Sequence, residues 1–397
     1  MRRSRLSILL VSSAVTLLAP AAALGDQSLG VFSDSGFPAG GHPTYSTQIN
    51  LDTTAGSPSS VTVKLAPGVL ASPAANPSCV RGTAQHTATC QIGTGSVDTS
   101  IPGLALPFTA YLAPPPSKAD VVGIDVVTAV PGLPVTHAGG KLVQTPRHNV
   151  QTVLSLSLSG LGLAAQFVTG MTLTVNGTLD GKPFNRMPTN CSPGPSQLSV
   201  VYAKRAETVT AVPDFAPTGC RKLPYAPRIS GTATANGKPG GGRVVTTITQ
   251  AVGQAASART TLTLPSPTVG PNPGVLSLQN SGTPVGSVVA DSPLLPTPLR
   301  GRIFLTGSFQ KPRLLFKFPP PAALTLTGIV DLSHNAVTIP AVPDVPLTRL
   351  QVTFPGGAKS LLAVSCAGRP ASLKGAFTAQ SGKTAMASAR LTVTGCS

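Results

Sequence analysis

Hydrophobic and polar residues alternate along many short segments of the chain. The clearest of these segments read SVTVKL, LSLSLSG, MTLTVNG, ALTLTGIVDL and ARLTVTG. Strict alternation places successive side chains on opposite faces of a strand, so that one face can be buried. Glycine and proline turn signals recur about every 8 to 12 residues, and no long helical period with capping residues follows the N-terminal segment. The pattern therefore predicts an all-β protein built from antiparallel β-sandwich-like modules.

The same series of motifs occurs twice along the chain. Residues 36–67 and 237–265 both open with G-x-P-x-G-G and end in an alternating run closed by proline. Further segments match in the same order: 93–115 with 285–307, 170–191 with 347–366, and 191–220 with 366–396. We therefore predict two tandem, divergent modules after an N-terminal segment (1–25), at residues 26–226 and 227–397, with an insertion near 120–163 in the first.

Six cysteines allow 15 pairings, and the repeat favours one of them. Cys191 and Cys220 are 29 residues apart, and Cys366 and Cys396 are 30 apart, each pair ending in T-G-C. The repeat predicts the disulfides Cys191–Cys220 and Cys366–Cys396, which leaves Cys79–Cys90 as the third. The alternative is metal binding, but no C-x-x-C occurs and no histidine lies at a ligand spacing from a cysteine.

The first 25 residues have the features of a signal peptide. Three arginines precede an apolar run from Leu6 to Leu18, and small residues around Ala21–Ala23 suit a cleavage site. The alternative is an uncleaved anchor, but the run is short for a bilayer span. No later segment is apolar enough to predict a transmembrane helix. With the cysteines, this predicts a secreted or extracytoplasmic, disulfide-bonded protein, either free or loosely associated with the cell envelope.

The net charge of +17 and the small number of aromatic residues bear on partners. A basic exported protein is attracted to anionic polymers and surfaces, and the alternative is a solvated surface on a protein that is poor in acids. Tryptophan is absent and aromatic residues make up 4%. Because single-stranded nucleic acids are bound by stacking on aromatic rings, the composition argues against a specific nucleic-acid partner.

Motifs that would indicate catalysis are missing from the sequence. There is no G-x-S-x-G, no phosphate-binding loop and no dinucleotide motif, and the five histidines lie in polar or turn-like contexts. Asp120 and Asp125 are five residues apart, which on a strand places them on opposite faces. Asp331, Ser333 and Asn335 resemble part of a calcium loop, but a hairpin turning at His334–Asn335 fits better. We therefore predict no catalytic residue, no cofactor and no metal site.

One segment carries a concentrated basic charge. Five cations and no acid occur between positions 300 and 317: Arg300, Arg302, Lys311, Arg313 and Lys317. On two strands of a hairpin they would share one face, with Phe304, Leu314, Phe316 and Phe318 pointing inward. The segment is a candidate contact for an anionic polymer. The alternative is an edge hairpin whose charges prevent aggregation.

Several segments resemble uncharacterised exported, β-rich proteins of actinobacteria, namely GKPFNRMPTNC, FAPTGC, LPYAPR, SPLLP and VPDVPLTRLQV. The resemblance extends over nearly all of the chain after residue 25. It implies extracytoplasmic β-modules and brings no activity or functional residues. Together, the features predict a non-enzymatic exported protein that is structural, adhesive or envelope-associated. The alternatives are a secreted hydrolase whose catalytic group is not visible in sequence, and a binder of anionic polymer through the basic hairpin.

Overall fold

The computed structural model describes most of the chain after residue 26. The described residues are 27–129, 135–158, 165–203, 205–210, 216–235, 241–272, 280–357, 360–367 and 370–396. The predicted signal peptide lies outside these ranges. In the described residues no helix is both long and apolar enough to cross a membrane.

The first half of the chain forms one large antiparallel sheet with small additions. Its strands, in chain order, are β1 Ser28–Phe32, β2 Tyr45–Asn50, β3 Pro58–Lys64, β4 Leu70–Ala71, β5 Gln91–Thr99, β6 Ala105–Ala113, β7 Val122–Thr128, β8 Thr136–Gln144, β9 Val150–Ser157, β10 Val168–Val175, β11 Thr178–Leu179, β12 Lys182–Pro183, β13 Asn185–Arg186, β14 Gln197–Tyr202 and β15 Ala206–Thr210. A short helix, α1, spans Pro77–Val80. The large sheet, called the first sheet, has the order β1-β2-β10-β5-β6-β7-β8-β9-β3-β14-β15.

The second half forms another large sheet, the second sheet. Its strands are β16 Arg228–Thr234, β17 Arg243–Thr249, β18 Ser257–Thr263, β19 Val269–Pro271, β20 Pro284–Asp291, β21 Leu299–Ser308, β22 Lys311–Lys317, β23 Thr325–Asp331, β24 Ala336–Ile339, β25 Arg349–Phe354, β26 Leu362–Val364, β27 Ser372–Ala379, β28 Thr384–Arg390 and β29 Thr392–Thr394. The order is β29-β16-β17-β25-β20-β21-β22-β23-β24-β18-β27-β28, and among these described strands only the β29–β16 pair is parallel.

The two sheets have the same topology. From β16 to β28 the second sheet repeats the strand order of the first, strand for strand. The small pair β4–β13 also has its counterpart in β19–β26. The first sheet ends at Thr210 and the second begins at Arg228, so the predicted join lies between them.

Each sheet is rolled, so that strands distant in the order share one core. In the second sheet Ala233 of β16 packs in one cluster with Ile303 of β21 and Phe316 of β22. In the first, Tyr202 of β14 donates a hydrogen bond to Gln27 and accepts one from the backbone N–H of Asp52, which ties the two ends of the sheet together. Within each rolled sheet, opposite parts of the inner face pack against each other as in a sandwich. The prediction of an all-β, antiparallel protein is confirmed.

Among the described residues, the greater length of the first half near 120–163 does not come from an added strand. Strands β7, β8 and β9 have 7, 9 and 8 residues, and their counterparts β22, β23 and β24 have 7, 7 and 4. The extra residues therefore lengthen strands that both sheets possess. Residues 72–90, which carry α1, and the hairpin β11–β12 are features of the first half without a counterpart among the described residues of the second.

Three disulfides join Cys79 to Cys90, Cys191 to Cys220 and Cys366 to Cys396. The pairs are those that the repeat predicts. Cys191–Cys220 closes the segment that contains β14 and β15, and Cys366–Cys396 closes the equivalent segment with β27 and β28. Cys79–Cys90 closes a loop that belongs to the first half alone.

Candidate anionic-polymer interface

The basic segment forms the hairpin β21–β22 in the interior of the second sheet. Strand β20 pairs with the outside of β21, and β23 pairs with the outside of β22. The alternative of an edge hairpin is therefore wrong. Because both strands already have hydrogen-bonded neighbours, their charges are not needed to prevent strand-to-strand aggregation.

The five cations lie on the outer face of this hairpin, and we call this group the basic face: Arg300, Arg302, Lys311, Arg313 and Lys317. All five side chains are exposed. Arg302 is directly opposite Lys317 in the ladder, and Arg313 is opposite Thr306. Leu314, Phe316 and Phe318 are buried on the inner side, as the alternation predicts.

Phe304 is not on the inner side, contrary to the prediction. It has the same parity as Arg300 and Arg302, so the alternation of the strand places it between the cations and half-buried. The ammonium of Lys317 lies 5.1 Å from the centroid of the Phe304 ring. This cation–π contact holds the lysine against the sheet.

No cation of the basic face forms an ion pair with any described residue. The acids of the neighbouring strands are already engaged. On β20, Asp291 accepts from Arg349 Nε at 2.7 Å, and at the end of β23, Asp331 lies 2.7 Å from His334 Nδ1. The basic face therefore presents uncompensated positive charge to solvent.

The turn between β23 and β24 is a hairpin, as predicted, and it accounts for the D-x-S-x-N motif. Hydrogen bonds from the Ser333 hydroxyl and from His334 hold the pKa of Asp331 well below its usual range. The Asn335 side-chain amide donates to the backbone carbonyls of Leu264 and Val269. These groups have structural roles in the turn. Among the described residues, no group of three or more His, Cys, Asp or Glu is arranged to hold a metal ion.

The same turn brings a serine, a histidine and an aspartate together, but not as a catalytic triad. Ser333 Oγ and Asp331 Oδ2 both contact Nδ1 of His334, at 3.1 and 2.7 Å. A triad needs the two partners on different ring nitrogens, so that a proton can pass from the serine while the aspartate orients the ring. This arrangement therefore does not activate the serine.

A second cluster lies on the outer face of the first sheet. Tyr111, Asp125 and His137 are in register across β6, β7 and β8. Asp125 is only 6% exposed, with Oδ1 2.6 Å from His137 Nδ1 and Oδ2 2.8 Å from Nε2 of His86. Since an ionised carboxylate only accepts hydrogen bonds, each imidazole donates through the nitrogen that faces it. His86 belongs to the Cys79–Cys90 loop and packs on Tyr111, so the cluster fixes this loop on the sheet.

The two halves of the chain are joined by a buried polar cluster. Asp344, which is fully buried, accepts hydrogen bonds from the backbone N–H and hydroxyl of Thr189 at 2.6 and 2.7 Å, and from the N–H of Asn190 at 2.9 Å. Arg186 Nη1 is 3.7 Å from its Oδ1. Burial raises the pKa of Asp344, while Arg186 and the hydrogen bonds oppose this increase. Burial also lowers the pKa of Arg186.

Neither buried cluster was predicted from the sequence. His137 lies opposite Asp125 in the β7–β8 hairpin, but the alternation gives only the face of each residue and not the register, so this pair could not be identified from the sequence. His86 and the Arg186–Asp344 contact come from distant parts of the chain, and no sequence signal indicates them.

Comparison with known proteins does not assign the chain to a family. No family model matches the chain, and no curated protein sequence matches it.

Proposed function

We propose that this protein is a non-enzymatic exported protein that associates with an anionic polymer of the cell envelope through the basic face. The observation that supports this most is the set of five exposed cations on one hairpin without an ion-pair partner among the described residues.

The hairpin supplies a rigid base for these cations. Both strands lie between paired neighbours, and Leu314 and Phe316 anchor β22 in the core. Alternate residues along a strand are about 7 Å apart and adjacent strands about 5 Å apart. The cations therefore form a fixed array that suits a chain with regularly repeated charges, rather than a single small ion.

The chemistry of the array favours phosphate or carboxylate groups. Three of the five cations are arginines, whose guanidinium groups bind such anions through two hydrogen bonds. Electrostatic attraction also acts over the whole molecule, since the chain carries a net charge of +17 and only three of its basic residues lie in the N-terminal segment.

Export is part of this proposal and rests on the N-terminal segment and the disulfides. Three disulfides are typical of proteins that fold in an oxidising compartment outside the cytoplasm. An anionic envelope polymer would meet the protein there.

The test is sedimentation of the purified protein, residues 26–397, with cell envelopes over a range of salt concentrations. We expect binding at low salt that falls steeply as the salt concentration rises, because exposed charges are screened within about 10 Å at 0.1 M. The triple variant Arg300→Glu, Arg302→Glu, Arg313→Glu should abolish binding.

The matched control reverses three other exposed arginines of the second sheet, Arg228→Glu, Arg243→Glu and Arg390→Glu, and so changes the net charge by the same amount. If both triple variants lose binding equally, net charge and not the basic face is responsible. If the unmodified protein does not sediment at any salt concentration, the proposed association is wrong.

A further inference from the structure

A cavity of about 330 Å³ lies in the cleft between the two halves of the chain. We call it the inter-sheet cavity. Its walls come from both halves, with His42, Lys182 and Arg186 from the first and Gln254, Pro293 and Pro346 from the second. Its volume is at the lower end of the range for small-molecule sites, roughly 300 to 1,000 Å³.

The charge of the cavity wall has one sign. Lys182 and Arg186 are cationic, and none of the lining residues is an aspartate or a glutamate. Arg186 forms an ion pair with Asp344, but Asp344 does not line the cavity. Asp344 is fully buried and accepts three hydrogen bonds from Thr189 and Asn190. The wall thus favours an anion.

Arg186 has hydrogen-bonding capacity that the protein does not use. The residue is 5% exposed, and its Nη1 has no hydrogen-bond partner among the described residues. The 3.7 Å separation from Asp344 is an ion pair but too long for a hydrogen bond. Nη1 is buried on the side of Asp344, so a ligand oxygen in the cavity would accept from the other end of the guanidinium, where Nη2 lies beside the cavity-lining Gly40. A charge-assisted hydrogen bond to this buried cation would be stabilising.

Gly40 keeps the guanidinium accessible from the cavity. It also lines the cavity, and a Cβ placed on it would lie 3.9 Å from Nη2 of Arg186. Any larger side chain would extend over the guanidinium. Gly40 has a φ of +66°, a conformation that suits glycine best.

The rest of the wall is mostly apolar. Proline rings, Val252 and Leu294 form most of it, and the Gln254 side chain adds one amide. Such a wall binds an apolar or weakly polar body, while the cations bind a charged group at one end.

From this geometry we propose that the inter-sheet cavity binds a small molecule carrying one oxyanion, a carboxylate or a phosphate, with that group at Arg186 and Lys182. The proposal does not depend on the basic face. Since both halves form the wall, the ligand would also strengthen the contact between the two sheets.

The test is calorimetric titration of residues 26–397 with phenyl phosphate and with benzoate, using benzyl alcohol as the uncharged control. We expect one-to-one binding of at least one anion and at least tenfold weaker binding of the alcohol. Lys182 is exposed, so Lys182→Glu should leave the fold intact and weaken anion binding at least tenfold. Lys118→Glu, an equal charge change on an exposed lysine that does not line the cavity, should change it less than twofold.

Two further variants make the result decisive. Arg186→Lys keeps the charge but removes the fork of donors, and it should weaken phenyl phosphate binding while the protein remains folded by circular dichroism. The triple basic-face variant should bind as tightly as the unmodified protein. The proposal is overturned if the anions bind no tighter than the alcohol, if Lys182→Glu behaves like Lys118→Glu, or if the basic-face variant loses this binding.

Discussion

The two sheets have the same strand order but different outer faces. At equivalent positions, β6, β7 and β8 of the first sheet carry the Tyr111–Asp125–His137 row, which the Cys79–Cys90 loop covers through His86. In the second sheet, β21 and β22 carry the basic face, which is open to solvent. The inner faces remain apolar in both. The packing of apolar residues on the inner face therefore maintains the shared topology. The outer face of the same strands carries different functional groups in the two sheets.

Mutation at the contact between the two halves should cause the largest loss of stability. Asp344→Ala would leave the buried Arg186 without its counter-charge, and we expect a loss of about 3 to 5 kcal/mol in the free energy of unfolding. Chemical denaturation followed by circular dichroism measures it. Asp34→Ala, at an exposed aspartate, is the control and should cost no more than about 0.5 kcal/mol. Equal losses in both variants would contradict a structural role for Asp344.

The two equivalent disulfides should contribute equally to the two halves. Replacing Cys191 and Cys220, or Cys366 and Cys396, with serine should each cost about 3 to 4 kcal/mol, because loops of similar length are released in the unfolded chain. The shorter Cys79–Cys90 loop should cost slightly less, roughly 3 kcal/mol. Scanning calorimetry measures the three variants. A large cost for only one of the two long loops would show that the halves are not energetically equivalent.

The cluster on the first sheet should stabilise a single loop. Asp125→Asn leaves only one acceptor oxygen for two imidazole donors, and we expect a loss of about 1 to 3 kcal/mol. Hydrogen exchange should become faster at residues 79–90 and remain unchanged in the basic hairpin. Asp34→Asn serves as the control. Uniformly faster exchange in both sheets would argue against a local role.

The first half should also be more sensitive to alkali. Burial raises the pKa of Tyr45 to about 12, so above pH 10 the unfolded chain loses this proton while the folded chain retains it. The resulting stability is fully present below pH 10 and is lost as the pH rises through 12. Between pH 9 and 11 the unmodified protein should lose about 1 kcal/mol more than Tyr45→Phe. The free energy of unfolding of both proteins is measured by denaturation at pH 9 and at pH 11. If both lose the same amount between these pH values, Tyr45 does not cause the sensitivity to alkali.

Local patterns predicted much of the fold. Alternation indicated most strands, and the 29- and 30-residue spacings indicated the pairs Cys191–Cys220 and Cys366–Cys396. The exposure of Arg300 and Arg302 followed from the same alternation. Each of these features depends on residues near one another in sequence, or on a comparison of the two copies.

Contacts between distant segments could not be predicted in this way. Arg186 and Asp344 are far apart in the chain and meet only because the two halves pack together. The interior position of the basic hairpin depends on its pairing with β20 and β23, and neither partner can be identified from the hairpin sequence alone. Phe304 is different, since its parity with Arg302 indicates the outer face, and the prediction that it points inward did not follow this parity.

The parallel pairing of β29 with β16 bears on the order in which the molecule assembles. Thr392 and Thr394 are partners of Thr232 and Thr234, the opening strand of the second half. A chain that emerges from its N-terminus can complete the first sheet once Thr210 is free, whereas the second sheet is complete only once Thr394 is free. The first half can therefore fold before the second, while one edge of β16 stays unpaired until β29 has been made.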